Sequence, residues 1–161
     1  MTGRIPTREW PVAVKRIYLD VCCLNRPFDD QRQDRSRIEA EAVERILERL
    51  CMRRWEWMGS EVIQLEIGKT PVAERRHRLT LLASSAHRTI SVGQAEAARA
   101  SELETLGFKD FDALHIACAE SGRADVFLTT DDKLLRLAAR HAERLAVSVE
   151  NPVSWLRRES E

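Results

Sequence analysis

Asp20, Glu66, Asp112 and Asp131 are the side chains in this chain whose types and placement fit a shared chemistry. Each stands where a strand gives way to a helix or turn, or just inside the helix that follows. A parallel α/β sheet collects the carboxyl ends of its strands along one edge, so acids far apart in sequence converge there. Converging carboxylates repel one another unless a cation joins them. A pocket walled by carboxylates suits a hard divalent ion, and such an ion acts on phosphate esters.

The elements that must position these acids are legible in outline. Arg16-Ile17-Tyr18-Leu19 is a short apolar run delivering Asp20 at its exit, and Pro27 shortly afterwards predicts a loop. Trp55 to Gly59 alternates as a strand, after which Ser60 caps a helix that carries Glu66 nearly two turns inside it. Lys109 to Ala119 opens with acids and continues with small and apolar residues, which puts Asp112 in the first turn of a closely docked helix. Val126 to Thr130 is a β-branched and apolar strand, and Asp131 begins the next helix at its positive end.

The intervening elements are plainer. A helix from Arg35 to about Arg53 places Ile38, Ala42, Ile46, Leu47 and Leu50 on one side, with Glu39, Glu41, Glu44, Glu48 and Arg49 elsewhere. Two more helices cover Val72 to Ser85 and Gln94 to Leu106, separated by the extended Thr89 to Val92, and Gly107 marks the break before the third acid. After Asp131 come a helix from Leu134 to Arg144, an edge strand from Leu145 to Val149, and a helix opened by Asn151 and Pro152.

Each acid also has a bland assignment. Asp131 and Asp112 read equally as helix caps. Glu66, flanked by Leu65 and Ile67, is harder to place without a partner, because an unpaired buried acid is costly. Asp110, Asp132 and Glu61 neighbour the four and would replace them if an element boundary shifts by a residue or two. His115 lies one turn beyond Asp112 and reads as a core residue or a support to the acids rather than a ligand.

Tyr18-Leu19-Asp20, Val62-Ile63-Gln64-Leu65-Glu66-Ile67, Asp112-Ala113-Leu114-His115-Ile116-Ala117 and Leu128-Thr129-Thr130-Asp131, in that order, resemble the PIN-domain family of metal-dependent nucleases, and especially the small VapC-type toxin ribonucleases. The resemblance runs from about Lys15 to the C-terminus. It implies one α/β domain over residues 15–161, a three-layer α/β/α sandwich around a parallel sheet. It further implies Mg²⁺ or Mn²⁺ held by Asp20, Glu66, Asp112 and Asp131, endonucleolytic hydrolysis of RNA, and a small antitoxin that fills the acidic groove. A homodimer is compatible with it. Residues 1–14, with Pro6 and Pro11, read as an extension without regular structure. Relatives often carry a hydroxyl or amide just after the first acid, whereas this chain has Val21, Cys22 and Cys23, with Asn25 as the nearest substitute. That departure leaves open a catalytically silent module of the same fold that works by binding. A receiver-type phosphotransfer domain is the other alternative, but it wants a lysine at a later strand's end.

The chain's 161 residues make one domain, and no apolar run approaches a membrane span. With neither a span nor a signal-peptide core, a cytoplasmic location is expected. Cys22, Cys23, Cys51 and Cys118 lack metal-ligand spacing and read as buried reduced thiols. Lys and Arg total 26 and so do Asp and Glu, so any grip on RNA phosphates must be local. Arg75-Arg76-His77-Arg78 and Arg53-Arg54 beside Trp55 and Trp57 are candidates. A solvated helix face for the first and packing for the tryptophans are the better assignments.

Overall fold

A computed structural model describes residues 14–160; the extension expected over residues 1–14 therefore lies outside the described residues, Val14 apart. From the N-terminal side the chain runs through β1 (Arg16–Leu19), α1 (Val21–Asn25), a 3₁₀ turn (Arg26–Phe28), α2 (Asp34–Cys51), β2 (Glu56–Ser60), α3 (Glu61–Gly68) and α4 (Ala73–Ala83). It continues with β3 (Arg88–Ile90), α5 (Gln94–Thr105), α6 (Asp110–Ser121), β4 (Val126–Leu128), α7 (Asp132–Arg140), β5 (Ser148–Glu150) and α8 (Pro152–Glu159).

The five strands are all parallel, in the order β3-β2-β1-β4-β5. Successive residues of a strand face opposite sides of a sheet, yet Ile17, Tyr18 and Leu19 of β1, all of β2 and all of β4 are buried. Helices must therefore cover both faces, which is the three-layer α/β/α arrangement expected. The chain steps outward from β1 through β2 to β3, then returns to place β4 on the other side of β1. The topological switch point lies between β1 and β4, where open α/β sheets place their ligands. The order 3-2-1-4-5 also differs from the 2-1-3-4-5 order of receiver domains.

Local chemistry explains the elements around that point. Instead of the loop expected after Asp20, α1 forms directly: Asp20 has extended backbone and its carboxylate accepts from Val21 N, so the acid ends β1 and caps a helix at once. Pro27 is accommodated in the opening of the 3₁₀ turn, a position where its missing N–H matters little. At the far end of α5, Gly107 takes φ +107°, a conformation that resists a side chain. β5 begins at Ser148 rather than Leu145 because Arg99 donates to the Arg144 carbonyl and Glu120 accepts from Ala146 N, holding that backbone away from the ladder.

One face of α2 differs from its periodicity. Ile38 is 46% exposed whereas Glu39 is 3% exposed. Glu39 is buried because it is paired: Arg26 Nε donates to it at 2.9 Å and Asn151 Nδ2 at 2.7 Å. Cys51 is exposed and Cys22 half-buried, so only Cys23 and Cys118 match the buried thiols expected. Among the described residues no helix is long and apolar enough to cross a membrane.

Candidate metal centre

Asp20 leaves the C-terminal end of β1 beside β4, 5% exposed, with every oxygen engaged. Val21 N donates to Oδ1 at 2.8 Å and the Thr129 hydroxyl to Oδ2 at 2.8 Å, with the Cys22 thiol 3.3 Å from Oδ2. The orienting group sought near Asn25 is therefore Thr129, together with Cys22. Asn25 turns away and donates to the Val21 carbonyl. Thr129 was legible only as a strand residue, since nothing local marks a hydroxyl that acts across 109 residues. It also accepts from Asp131 N at 3.2 Å, tying the exits of β1 and β4 together. Cys22 accepts from Thr130 N at 3.3 Å and so stands where a hydroxyl would otherwise serve.

Glu66 comes from α3, which Ser60 caps by accepting from Ile63 N. Its Oε1 lies 3.6 Å from His115 Nε2, and Asp20 Oδ1 lies 3.9 Å from the same nitrogen. Ligand atoms of Asp20, Glu66 and His115 fall within 4.8 Å of one another. Asp112 and Asp131 do not join that tight group. Asp112 sits in the first turn of α6, half-buried. Burial first, and then the charges of Asp20 and Asp131, push its carboxyl up to about 6, with Glu66 adding to the effect and His115 opposing it. Asp131 is exposed at the rim and caps α7, its Oδ1 accepting from Lys133 N and Leu134 N.

Burial also raises the Asp20 carboxyl, with His115 and the Thr129 hydroxyl opposing and Glu66 reinforcing the shift. Burial and mutual repulsion of this kind are what a shared cation relieves. Donors of this kind, mainly carboxylate oxygens around an open rim, fit a hard divalent ion. The other acids considered are occupied elsewhere or open to solvent. Asp132 forms a forked pair with Arg35 at 2.7 and 2.9 Å, Glu61 accepts from Val92 N, and Asp110 is exposed.

His115 is wholly buried and closes the floor of the site. Nδ1 is 2.6 Å from the Tyr18 hydroxyl, which is itself 2.6 Å from Ser60 Oγ, whereas Nε2 has no hydrogen-bond partner among the described residues. Burial holds the Tyr18 phenol well above its usual range, so it keeps its proton. The candidate RNA contacts divide: Arg53, Arg54, His77 and Arg78 are exposed, whereas the tryptophans, Arg75 and Arg76 are engaged within the protein. Trp57 is buried, Trp55 packs edge-on against Trp155 at 4.9 Å, and Arg75 binds Asp29 and the Phe28 carbonyl.

The sequence model of the PIN domain matches residues 17–140. No curated protein matches the chain in sequence. Among solved structures, VapBC2 from Rickettsia felis, crystallised on a DNA fragment from its promoter, superposes with TM-score 0.55 at 17% identity, covering 84% of this chain and 98% of that one. FitAcB from Neisseria gonorrhoeae gives TM-score 0.52 at 16% identity, covering 84% and 97%. At such identities the likeness is one of fold.

Proposed function

The chain belongs to the PIN domain family, and we propose that it is a metal-dependent endoribonuclease, the VapC-like toxin of a type II toxin–antitoxin pair acting in the cytoplasm. The observation that carries this reading is the meeting of Asp20 and Glu66 at the switch point, with Asp112 held up to about 6 beside them. Asp20, Glu66, Asp112 and Asp131 would hold Mg²⁺ or Mn²⁺. When bound, such an ion supplies an activated water and neutralises charge on the phosphate.

The chain's own residues set the conditions for that chemistry. Three donors fix Asp20 in one orientation, so its carboxylate is preorganised. Asp112 is held up to about 6, and Asp131 is exposed, its Oδ2 accepting no hydrogen bond among the described residues. Burial beneath the acids excludes water from the floor, while the exposed rim admits a phosphodiester. No nucleophilic side chain is required.

A likeness in fold to the VapBC2 and FitAcB structures supports a small protein antitoxin as partner. Purified protein should cleave RNA with Mg²⁺ or Mn²⁺ and stop on chelation, and Asp20→Asn should be inactive yet folded. Expression should slow growth, relieved by a neighbouring small gene. RNA binding without metal-dependent cleavage by the wild type would overturn the nuclease reading in favour of a silent binding module.

A further inference from the structure

We propose that His115 is a positioning residue for Glu66, held by Tyr18 and Ser60 so that its Nε2–H is aimed at the acidic cleft. The proposal deepens the metal-site reading above and rests on it.

The four acids are unequally supported. Asp20 is gripped by Val21 N, Thr129 and Cys22, and Asp131 by two helix amides. Glu66 accepts no hydrogen bond from any described residue, and its side chain is 28% exposed. A long, ungripped carboxylate is a poor ligand, because ligands are oriented by the groups bonded to them. Among the described residues the polar atom that faces it from within the protein is His115 Nε2, 3.6 Å away, buried and without a hydrogen-bond partner there.

The other side of the imidazole decides what that atom carries. Ser60 Oγ accepts from Ile63 N as the cap of α3, and its own proton is available to the Tyr18 oxygen at 2.6 Å. Tyr18 then donates its one proton to His115 Nδ1, also at 2.6 Å. With Nδ1 accepting, the ring proton stands on Nε2. The reverse direction would leave a bare lone pair facing Glu66 Oε1 and Asp20 Oδ1, an arrangement of mutual repulsion in a buried site. At 3.6 Å the contact is longer than a hydrogen bond, and Glu66, being partly exposed, is the member free to close it by less than an ångström. The relay begins at the cap of the helix that bears Glu66, so the elements that seat α3 also aim its acid.

The test has two arms. In protein with ¹⁵N-labelled histidine, long-range ¹H–¹⁵N correlation spectra should show a proton on His115 Nε2, both without metal and with saturating Mg²⁺. A bare Nε2 in either state overturns the proposal. In calorimetric titrations with Mn²⁺, His115→Phe should weaken binding about 10- to 100-fold, and His115→Gln, whose amide again offers an N–H, should recover most of it. Tyr18→Phe, which leaves the imidazole in place but unbinds Nδ1, should mix the two tautomers and lose part of the affinity. Equal Mn²⁺ affinity across wild type, His115→Phe and Tyr18→Phe would overturn the relay. Absence of Mg²⁺ and Mn²⁺ binding by the wild type would instead overturn the metal site itself, an outcome distinct from failure of the relay alone.

Discussion

Replacing Asp112 with asparagine removes one negative charge from the cleft and keeps the side chain's shape. The carboxyl ionises near 6 in the folded chain against an ordinary 3.8. A group whose folded pKa is raised destabilises the fold progressively as pH climbs from 3.8 to 6, and by a constant amount above that. The full difference corresponds to about 3 kcal/mol, and solvent reaching this half-buried group reduces it to about 1–2 kcal/mol. Without metal, Asp112→Asn should therefore match the wild type near pH 4. At pH 7.5 it should unfold about 2–8 °C higher, given the size of the domain. With Mg²⁺ or Mn²⁺ the order narrows or reverses, because the ion stabilises only the chain that binds it well. RNA cleavage by the variant should fall about 100-fold or more. Thermal unfolding at both pH values, with and without metal, is the assay, run beside RNA hydrolysis. Equal melting temperatures at pH 7.5 without metal would refute the electrostatic argument, and cleavage at the wild-type rate would remove Asp112 from the site.

Thr129→Val should cost about 1–2 kcal/mol and weaken Mn²⁺ binding about 10-fold, since Asp20 loses a donor, whereas Thr129→Ser should behave as wild type; calorimetric titration decides. Glu39→Ala strips Arg26 and Asn151 of a buried partner, so urea unfolding should report a loss of about 2–3 kcal/mol, and a loss under about 0.5 kcal/mol would mean that the pairing contributes nothing. Gly107→Ala forces a side chain into a left-handed turn and should lower stability by about 1–2 kcal/mol while leaving RNA cleavage by the folded protein unchanged.

The strands and most helices were legible because their signals are local: Leu19 before Asp20, Ser60 before α3, Asn151-Pro152 before α8. What failed to show were relations fixed by distant partners. Periodicity placed Ile38 inside and Glu39 outside, and the reverse is true because Arg26 and Asn151 come from other parts of the chain to neutralise and bind the acid. Thr129 looked like any strand threonine, and its role depends on Asp20 lying beside it on the neighbouring strand. His115 read as a core residue or a support to the acids and is wholly buried, but its neighbour Tyr18 belongs to β1, which no spacing within α6 reveals. The Cys22 position, a departure in sequence, places a thiol that donates to Asp20 and accepts from Thr130 N, each at 3.3 Å.

Because the sheet reverses its order between β1 and β4, the cleft is stitched across a gap of 109 residues, from Asp20 to Thr129. On a ribosome the chain appears from its N-terminus, and β1, β2 and β3 all emerge while the place beside β1 is still vacant. Until β4 docks there, Asp20 lacks its hydroxyl donor and Asp131 lies still unmade or inside the exit tunnel. Assembly of the site thereby waits on β4 and the residues that follow it. A truncated product ending before β4 carries Asp20, Glu66 and Asp112 without Thr129 or Asp131, and so without a completed cleft.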